Sequence, residues 1–426
     1  MPETFLIVGC GVFGLSTALE LAKQGHKVTA LDLYPIPSKW SAANDLNKII
    51  RTEYSDKFYA QLAVEALKSW ENDPLYQDVY TKSGRITLSP SSIENQHRLR
   101  FEDQGFENLK ELGVDVSDIK HLTTGEEIGL MFPGFKDNEL GSINARYNPN
   151  TGYGHASKSL IKVYEESKRL GVQFIFGSQG HVKEIINQNS IKVESGEVYT
   201  VDKILISAGA STGFLINLQN QIKATGLFVT HIQLTSEEYE KYKSIPIFFS
   251  AELGYFFPPD PINHQLKIAM TFSDARNSIQ DPFDSSNRQS LPRYREEYQN
   301  DTFPKDGEYH VKLLLKKLLP ELQNHDLIKS KVCWISDTTD SNFLIDKVPG
   351  LENVFVACGD SGHGYKFLPN IGKYISGIIQ GTEKDQVLKD KWAWRSTNDW
   401  SKQLSSRAKR PQIDLNNSII DWYIEK

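Results

Sequence analysis

Apolar residues along this chain follow two periods. Near the start, Phe5-Leu-Ile-Val8 is an uninterrupted run of strand length, and Leu15, Ala18, Leu19 and Ala22 then recur at helical spacing. Between them lies Gly9-Cys10-Gly11-Val12-Phe13-Gly14. Gly25 closes the predicted helix, and Lys27-Val-Thr-Ala-Leu31 reads as a second strand ending on Asp32, roughly 20 residues after the glycine turn. In a unit of this kind Gly9 permits the tight turn, Gly11 lets backbone approach a pyrophosphate, and Gly14 lets helix and strand pack closely. Alone, the glycine spacing also suits other α/β turns, but strand, helix and acid agree on a dinucleotide site. Asp32 at the ribose position favours FAD or NAD over NADP.

Further on, Tyr34-Pro-Ile-Pro37 reads as an extended turn, and 41–51 as a polar loop before a helix through Leu62, Ala63, Ala66 and Leu67. Lys48 and Arg51 are either solvated loop charges or groups facing a cofactor ring and a carboxylate, and spacing leaves both readings open. Residues 80–145 mix short strands such as 84–88 with charged helices such as 102–112 and show no chemistry. An amphipathic helix over 156–170, a strand at 172–176 and an antiparallel excursion at 182–201 follow. Lys203-Ile-Leu-Ile-Ser207 then reads as a buried parallel strand ending on the small turn Ala208-Gly209-Ala210, which can sit against a cofactor.

From about Phe228 to Phe272 the pattern becomes alternating, as in an antiparallel sheet with one wet face. A helix at 311–319 ends at Pro320, and Val332-Cys333-Trp334 is expected to begin the return to the first domain. Phe355-Val-Ala-Cys358 leads into the turn Gly359-Asp-Ser-Gly362-His-Gly364 and a helix over 371–381, whose N-terminus is expected to face the cofactor. The tail from Trp392 looks polar and uninformative.

At 426 residues the chain is long enough for about two or three domains. Its 39% hydrophobic and 24% charged residues and net charge of −6 lack the basic excess that nucleic acid or an anionic membrane selects, so neither is an expected partner. No apolar run approaches a membrane span, the N-terminus enters a strand directly, and the ending at Lys426 is not of the peroxisomal SKL type, so a cytoplasmic location is expected. Three scattered cysteines, Cys10, Cys333 and Cys358, suggest neither a disulfide framework nor a metal site.

Four stretches carry a family likeness: the N-terminal glycine turn, 43–48 (Ala-Asn-Asp-Leu-Asn-Lys), 333–338 (Cys-Trp-Ile-Ser-Asp-Thr) and the long run from Gly359 through Lys366 to Gly372. Together they resemble the FAD-dependent amine oxidases of the sarcosine oxidase family, most of all the fungal and yeast fructosyl amino acid oxidases, or amadoriases. The resemblance runs from Gly9 to about Tyr374. It implies an α/β fold in which a Rossmann-type FAD-binding domain (1–85, 146–225 and 328–390) meets a mixed or antiparallel-sheet substrate domain (86–145 and 226–327), as in sarcosine and D-amino acid oxidases, with a tail at 391–426.

The same resemblance implies site residues. Cys333 matches a cysteine joined by a thioether to the flavin; on its own it would read as a buried thiol. Lys267 matches the lysine over the flavin N5 edge that activates O2, and without the family it would read as a lysine on a wet strand face. Arg51 and Lys366 match the pair that clamps the substrate carboxylate. The implied cofactor-binding set is Gly9, Gly11, Val12, Phe13, Gly14, Asp32, Ser41, Asn47, Lys48, Val182, Ala208, Gly209, Cys333, Asp360, Gly362, Gly364, Tyr365 and Lys366, with no metal.

The implied reaction is oxidation of a fructosyl amino acid at its secondary amine, with the imine hydrolysing to glucosone and free amino acid and O2 becoming H2O2. A monomer is expected from the resemblance alone. Two departures bear on the substrate: filamentous-fungal amadoriases lack an arginine at the position of Arg51, and 270–276 differs from their acidic run after the lysine. The rival readings are a saccharopine, pipecolate or sarcosine oxidase of the same family, an NAD-linked dehydrogenase, and a flavoprotein without catalysis.

Overall fold

The computed structural model describes residues 2–92, 97–403 and 410–425. The first apolar run forms the strand Thr4–Val8, and the helical spacing after it forms the helix Val12–Lys23. Thr4–Val8 lies inside a six-stranded sheet, with Lys27–Leu31 and then Gln173–Ile175 parallel to it on one side, and Lys203–Ile206 and then Val354–Cys358 on the other. Leu344–Lys347 closes that second edge antiparallel. The chain leaves the central strand to one side first and returns on the other, so the carboxyl ends of the flanking strands diverge around a crevice, where such sheets bind ligands.

Helices cover one face of this sheet: Val12–Lys23 packs between Ala156–Arg169 and Ile371–Gln380. Gly372 lies against the backbone of Ser16 with no room for a Cβ, which fixes how closely the two helices approach. The other face is covered by the expected excursion, the antiparallel strands Val182–Asn187, Ser190–Val193 and Val198–Thr200, whose Ile191 and Val193 join Leu6, Val8, Ile204 and Ile206 in one core.

The alternating region builds a second, ten-stranded sheet around the long strand Lys223–Gln233. One face packs Phe228, Ile232, Phe248, Phe256, Leu266 and Ile268 against Val311, Leu314 and Leu315 of the helix Gly307–Leu318. The opposite face, expected to be wet, is covered by the first sheet's crevice. The overall α/β architecture, a Rossmann-type nucleotide unit facing a mixed, largely antiparallel sheet, is the one expected from the sequence.

Three local expectations are corrected. Cys333 lies on the ten-residue strand Ile328–Asp337, which does not return to the first sheet: it pairs antiparallel with Lys223–Gln233 from Lys223↔Asp337 to His231↔Ile328. That long strand has a full free edge once Gln265–Ala269 has taken the second half of the other, and Ile328–Asp337 satisfies it. The tail is not uninformative: Gln412–Asp414 adds a parallel edge strand beside Asp274–Arg276, Leu415 and Tyr423 enter the large-sheet core, and Trp392 is buried with its Nε1 3.1 Å from Tyr59 Oη. Residues 404–409 and 426 of that tail lie outside the described residues. Finally, helix Ile371–Gln380 starts behind the crevice wall, so its N-terminus does not face the cavity; the preceding turn 357–366 does. Among the described residues no helix is long and apolar enough to cross a membrane.

Candidate active site

A cavity of about 880 Å³ opens between the strand ends of the first sheet and the inner face of the second, at the large end of ligand sites and roomy enough for a dinucleotide with a small substrate. The glycine turn forms one wall. Gly9 has φ +95°, and a Cβ there would lie 2.7 Å from the Ser207 carbonyl oxygen, so only glycine fits. A Cβ on Gly14 would overlap the Gly9 carbonyl oxygen and stand 2.7 Å from Ser207 Oγ. Gly11 is different: its Cβ would meet only Ser41 Oγ at 3.8 Å, so its backbone faces open cavity. Next to it the Asp32 carboxylate accepts from Cys10 N–H at 2.9 Å and Tyr34 N–H at 3.1 Å, and burial raises its pKa despite those bonds. A bare turn, a helix N-terminus and an acid in one wall fit the pyrophosphate and ribose of FAD.

The opposite wall follows from strand alternation. On Gln265–Ala269, Leu266 and Ile268 point into the core, so Lys267 and Ala269 point into the cavity. The same rule brings Leu227 and Val229, Phe249, Tyr255 and Phe257, Arg85 and Thr87, and Cys333 and Ile335 to that face. Lys267 is 2% exposed and so does not sit on a wet surface. Its Nζ donates to the Asn47 carbonyl at 2.6 Å and pairs with Asp45 Oδ2 at 2.7 Å. Burial lowers its pKa to about 8, against the pull of Asp45. Burial acts to raise the Asp45 pKa, but the fields of Lys267, Lys331 and Lys48 and the nearby His231 imidazole hold it well below the usual carboxylate range. Cys333 Sγ lies 3.9 Å from Lys48 Nζ and 3.6 Å from the Ala42 carbonyl oxygen, and all three cysteines are free thiols.

A cationic cluster lines another part of the cavity. The Arg51 guanidinium stacks 4.3 Å over the Tyr54 ring and donates to the Glu53 carbonyl oxygen. Glu53 Oε1 accepts from Arg85 Nη2 at 3.2 Å and Asn148 Nδ2 at 2.7 Å; Arg85 and Arg51 keep its pKa low although burial acts to raise it. Lys366 Nζ donates to the His363 carbonyl at 2.8 Å, and burial, then Arg51 and Arg85, push its pKa well below the ordinary lysine value. His363 Nε2 lies 2.9 Å from the Ser341 carbonyl, which only accepts, so Nε2 carries the proton and Tyr54 Oη, 3.1 Å away, donates to Nδ1. Arg146 and Arg410 complete the cationic lining, Arg410 with its Nη1 3.1 Å from Asp274 Oδ1.

The cavity gathers Gly9, Gly11, Val12, Phe13, Asp32, Ser41, Lys48, Arg51, Val182, Ala208, Gly209, Lys267, Cys333, Asp360, Gly362, Gly364, Tyr365 and Lys366. Gly14 and Asn47 do not line it: Gly14 is packed behind the turn, and Asn47 meets Lys267 through its backbone. Sequence reasoning passed over Asp45, Glu53, Arg85 and Arg410. For Arg85 a signal existed, since the alternation of 85–88 sets Arg85 and Thr87 opposite the core residue Ile86. Arg410 had none. Among the described residues no group of His, Cys, Asp and Glu could hold a metal ion.

The family model for FAD dependent oxidoreductases (DAO) matches residues 4–378. The chain is 40% identical to the L-saccharopine oxidase of Schizosaccharomyces pombe, over 98% of this chain and 99% of that protein. It is 26% identical to a monomeric sarcosine oxidase of Bacillus sp., over 88% and 91% of the two. Among solved structures it matches the fructosamine oxidase amadoriase II of Aspergillus fumigatus with TM-score 0.89 at 29% identity, covering 100% and 98% of the chains. A modified fructosyl peptide oxidase from Aspergillus nidulans matches with TM-score 0.88 at 30% identity, covering 99% of each. A dinucleotide cradle facing a buried lysine, on a chain matched almost end to end by these oxidases, makes this protein a member of the FAD-dependent oxidoreductase family that oxidises an amine C–N bond.

Proposed function

We propose that the substrate is a secondary amine bearing several carboxylates, two amino acids joined through one nitrogen as in saccharopine, in preference to the fructosyl amino acid that the sequence suggested. The observation that carries this is the cationic lining at one part of the cavity: Arg51, Arg85, Arg146 and Lys366 gather there, and with Arg85 engaged by buried Glu53 and Arg146 by Asp103, Arg51 stacked on Tyr54 and the buried Lys366 are the two left to meet a ligand's carboxylates. Burial and the neighbouring arginines disfavour the charged form of Lys366, and a polycarboxylate offsets that penalty where a sugar's hydroxyls would not. The 40% identity to the fission yeast L-saccharopine oxidase supports the same reading.

FAD, when bound, accepts a hydride from the carbon beside the substrate nitrogen and delivers the electrons to O2 as H2O2. The chain's part is orientation and charge. Arg51 offers a planar fork for one carboxylate and Lys366 a point charge that burial disfavours and an arriving carboxylate favours. Phe249, Tyr255 and Phe257 supply an apolar wall that keeps water from the reacting carbon, and Lys267 provides the fixed cation that favours electron transfer to O2. Cys333, in the wall beside Lys48, is the residue for a thioether to the flavin. Released imine hydrolyses to an amine and a carbonyl compound.

The glycated-amine reading keeps support from the TM-score of 0.88 to the fructosyl peptide oxidase. Anaerobic bleaching of the flavin band by saccharopine, fructosyl-valine, pipecolate and sarcosine at equal concentration separates the two. Saccharopine should bleach fastest. Rapid bleaching by fructosyl-valine with saccharopine inert overturns the polycarboxylate assignment and leaves the amine oxidase standing.

A further inference from the structure

Behind the cavity wall a carboxylate is surrounded by three lysines and an imidazole from four elements. Asp45, 1% exposed in its side chain, comes from the loop before Lys48–Ile50. Its Oδ2 is 2.7 Å from Lys267 Nζ on Gln265–Ala269 and 3.8 Å from Lys48 Nζ. Its Oδ1 accepts from Leu46 N–H at 2.8 Å and lies 3.7 Å from His231 Nε2 on Lys223–Gln233. Lys331, on Ile328–Asp337, donates to the neighbouring Asn44 carbonyl at 2.8 Å and adds its field. Tyr255 on Gly254–Phe256 also feels this carboxylate, and the Phe257 ring stands 5.1 Å from the Lys267 ammonium. Asp45 does not line the cavity, so it reaches the chemistry through the cavity-lining cations it pairs with, Lys267 at 2.7 Å and, more distantly, Lys48 at 3.8 Å.

We infer that Asp45 is the positioning residue of the oxidative half-reaction: from behind, it anchors the Lys267 ammonium in the cavity wall and preserves its positive charge in a buried site. The inference rests on the reading of Lys267 as the cation that serves O2. A buried ammonium tends to shed its proton, since burial penalises the charged form, and Lys48 and Lys331 repel it as well. Asp45 is the carboxylate that opposes all three effects. The sign of the pH dependence follows. With its pKa lowered to about 8, Lys267 is charged below that pH and neutral above it, so the rate of reoxidation should fall as pH rises through about 8.

The test uses holoenzyme reduced with dithionite, so that no amine substrate is involved, mixed with O2 across a pH series, with anaerobic reduction by saccharopine measured alongside. In Asp45→Asn the falling limb should move to lower pH by about one unit or more, with about a tenfold loss of rate above the limb and little change in reduction. Asp45→Glu should return the limb toward the wild-type position. Lys331→Met, which removes a repelling charge and spares the carboxylate, should move it to higher pH; that variant keeps the test alive if Asp45→Asn fails to bind flavin. Limbs unmoved in both Asp45→Asn and Lys331→Met, while Lys267→Met slows reoxidation, overturn the role of Asp45 and leave the oxygen reading intact. A Lys267→Met enzyme that reoxidises like the wild type overturns both.

Discussion

Replacing Arg51 by leucine tests the carboxylate clamp. The guanidinium is held flat by the Tyr54 ring at 4.3 Å and by the Glu53 carbonyl, so it is organised before any substrate arrives. A carboxylate about 4 Å from such a charge gains about 4 kcal/mol at an effective dielectric of about 20. Part of that loss is recovered in the variant, because Arg51 is one of the charges that, after burial, suppress Lys366, and removing it lets Lys366 carry more charge. About 2–3 kcal/mol should remain, a fall of roughly 30- to 150-fold in kcat/KM, expressed mainly in KM. Arg51→Lys, which keeps the charge and loses the fork, should fall by about tenfold. Peroxide formation under steady state gives the ratio, and anaerobic reduction separates binding from hydride transfer. Reoxidation of dithionite-reduced Arg51→Leu should match the wild type, because Lys267 is anchored elsewhere, on Asp45 and Asn47. A KM for saccharopine within about twofold of wild type in Arg51→Leu refutes the clamp.

Two further outcomes follow from the same wall. Lys366, whose charged form burial and then Arg51 and Arg85 disfavour, should become more basic when a carboxylate ligand binds, so binding should take up protons over the pH range where the free lysine titrates; calorimetry of a carboxylate inhibitor across a pH series in buffers of different ionisation enthalpy reads that uptake, and a slope of zero at every pH refutes it. Acid-precipitated wild-type protein should retain its flavin and Cys333→Ser should release it, so release from both refutes attachment at Cys333.

The nucleotide unit was legible because its whole logic is local. Strand, turn, helix and acid occupy the stretch from Thr4 to Asp32, and their roles depend on spacing within one supersecondary unit. Alternation along 265–269 likewise showed that Lys267 lies opposite Leu266 and Ile268, and the family resemblance pointed to Arg51, Lys366 and Cys333, which the cavity does gather. What alternation leaves open is what covers the other face. That face was expected to be wet, and burial beneath the nucleotide unit lowers the Lys267 pKa and so makes its charge sensitive to pH.

The sequence by itself determined the dinucleotide unit, the two-sheet class and the periodic choice of which side chains share a face. Only the tertiary structure decided the partners: Asp45 beneath Lys267, Glu53 between Arg51 and Arg85, the strand of Cys333 laid along Lys223–Gln233, and Arg410 brought from the tail into the cavity. Asn47 and Lys267, 220 residues apart, meet because two sheets close on one another. Periodicity reports on a few successive residues. Dielectric environment and ion pairing are set by whatever packs against them from elsewhere in the chain, and no local spacing encodes that.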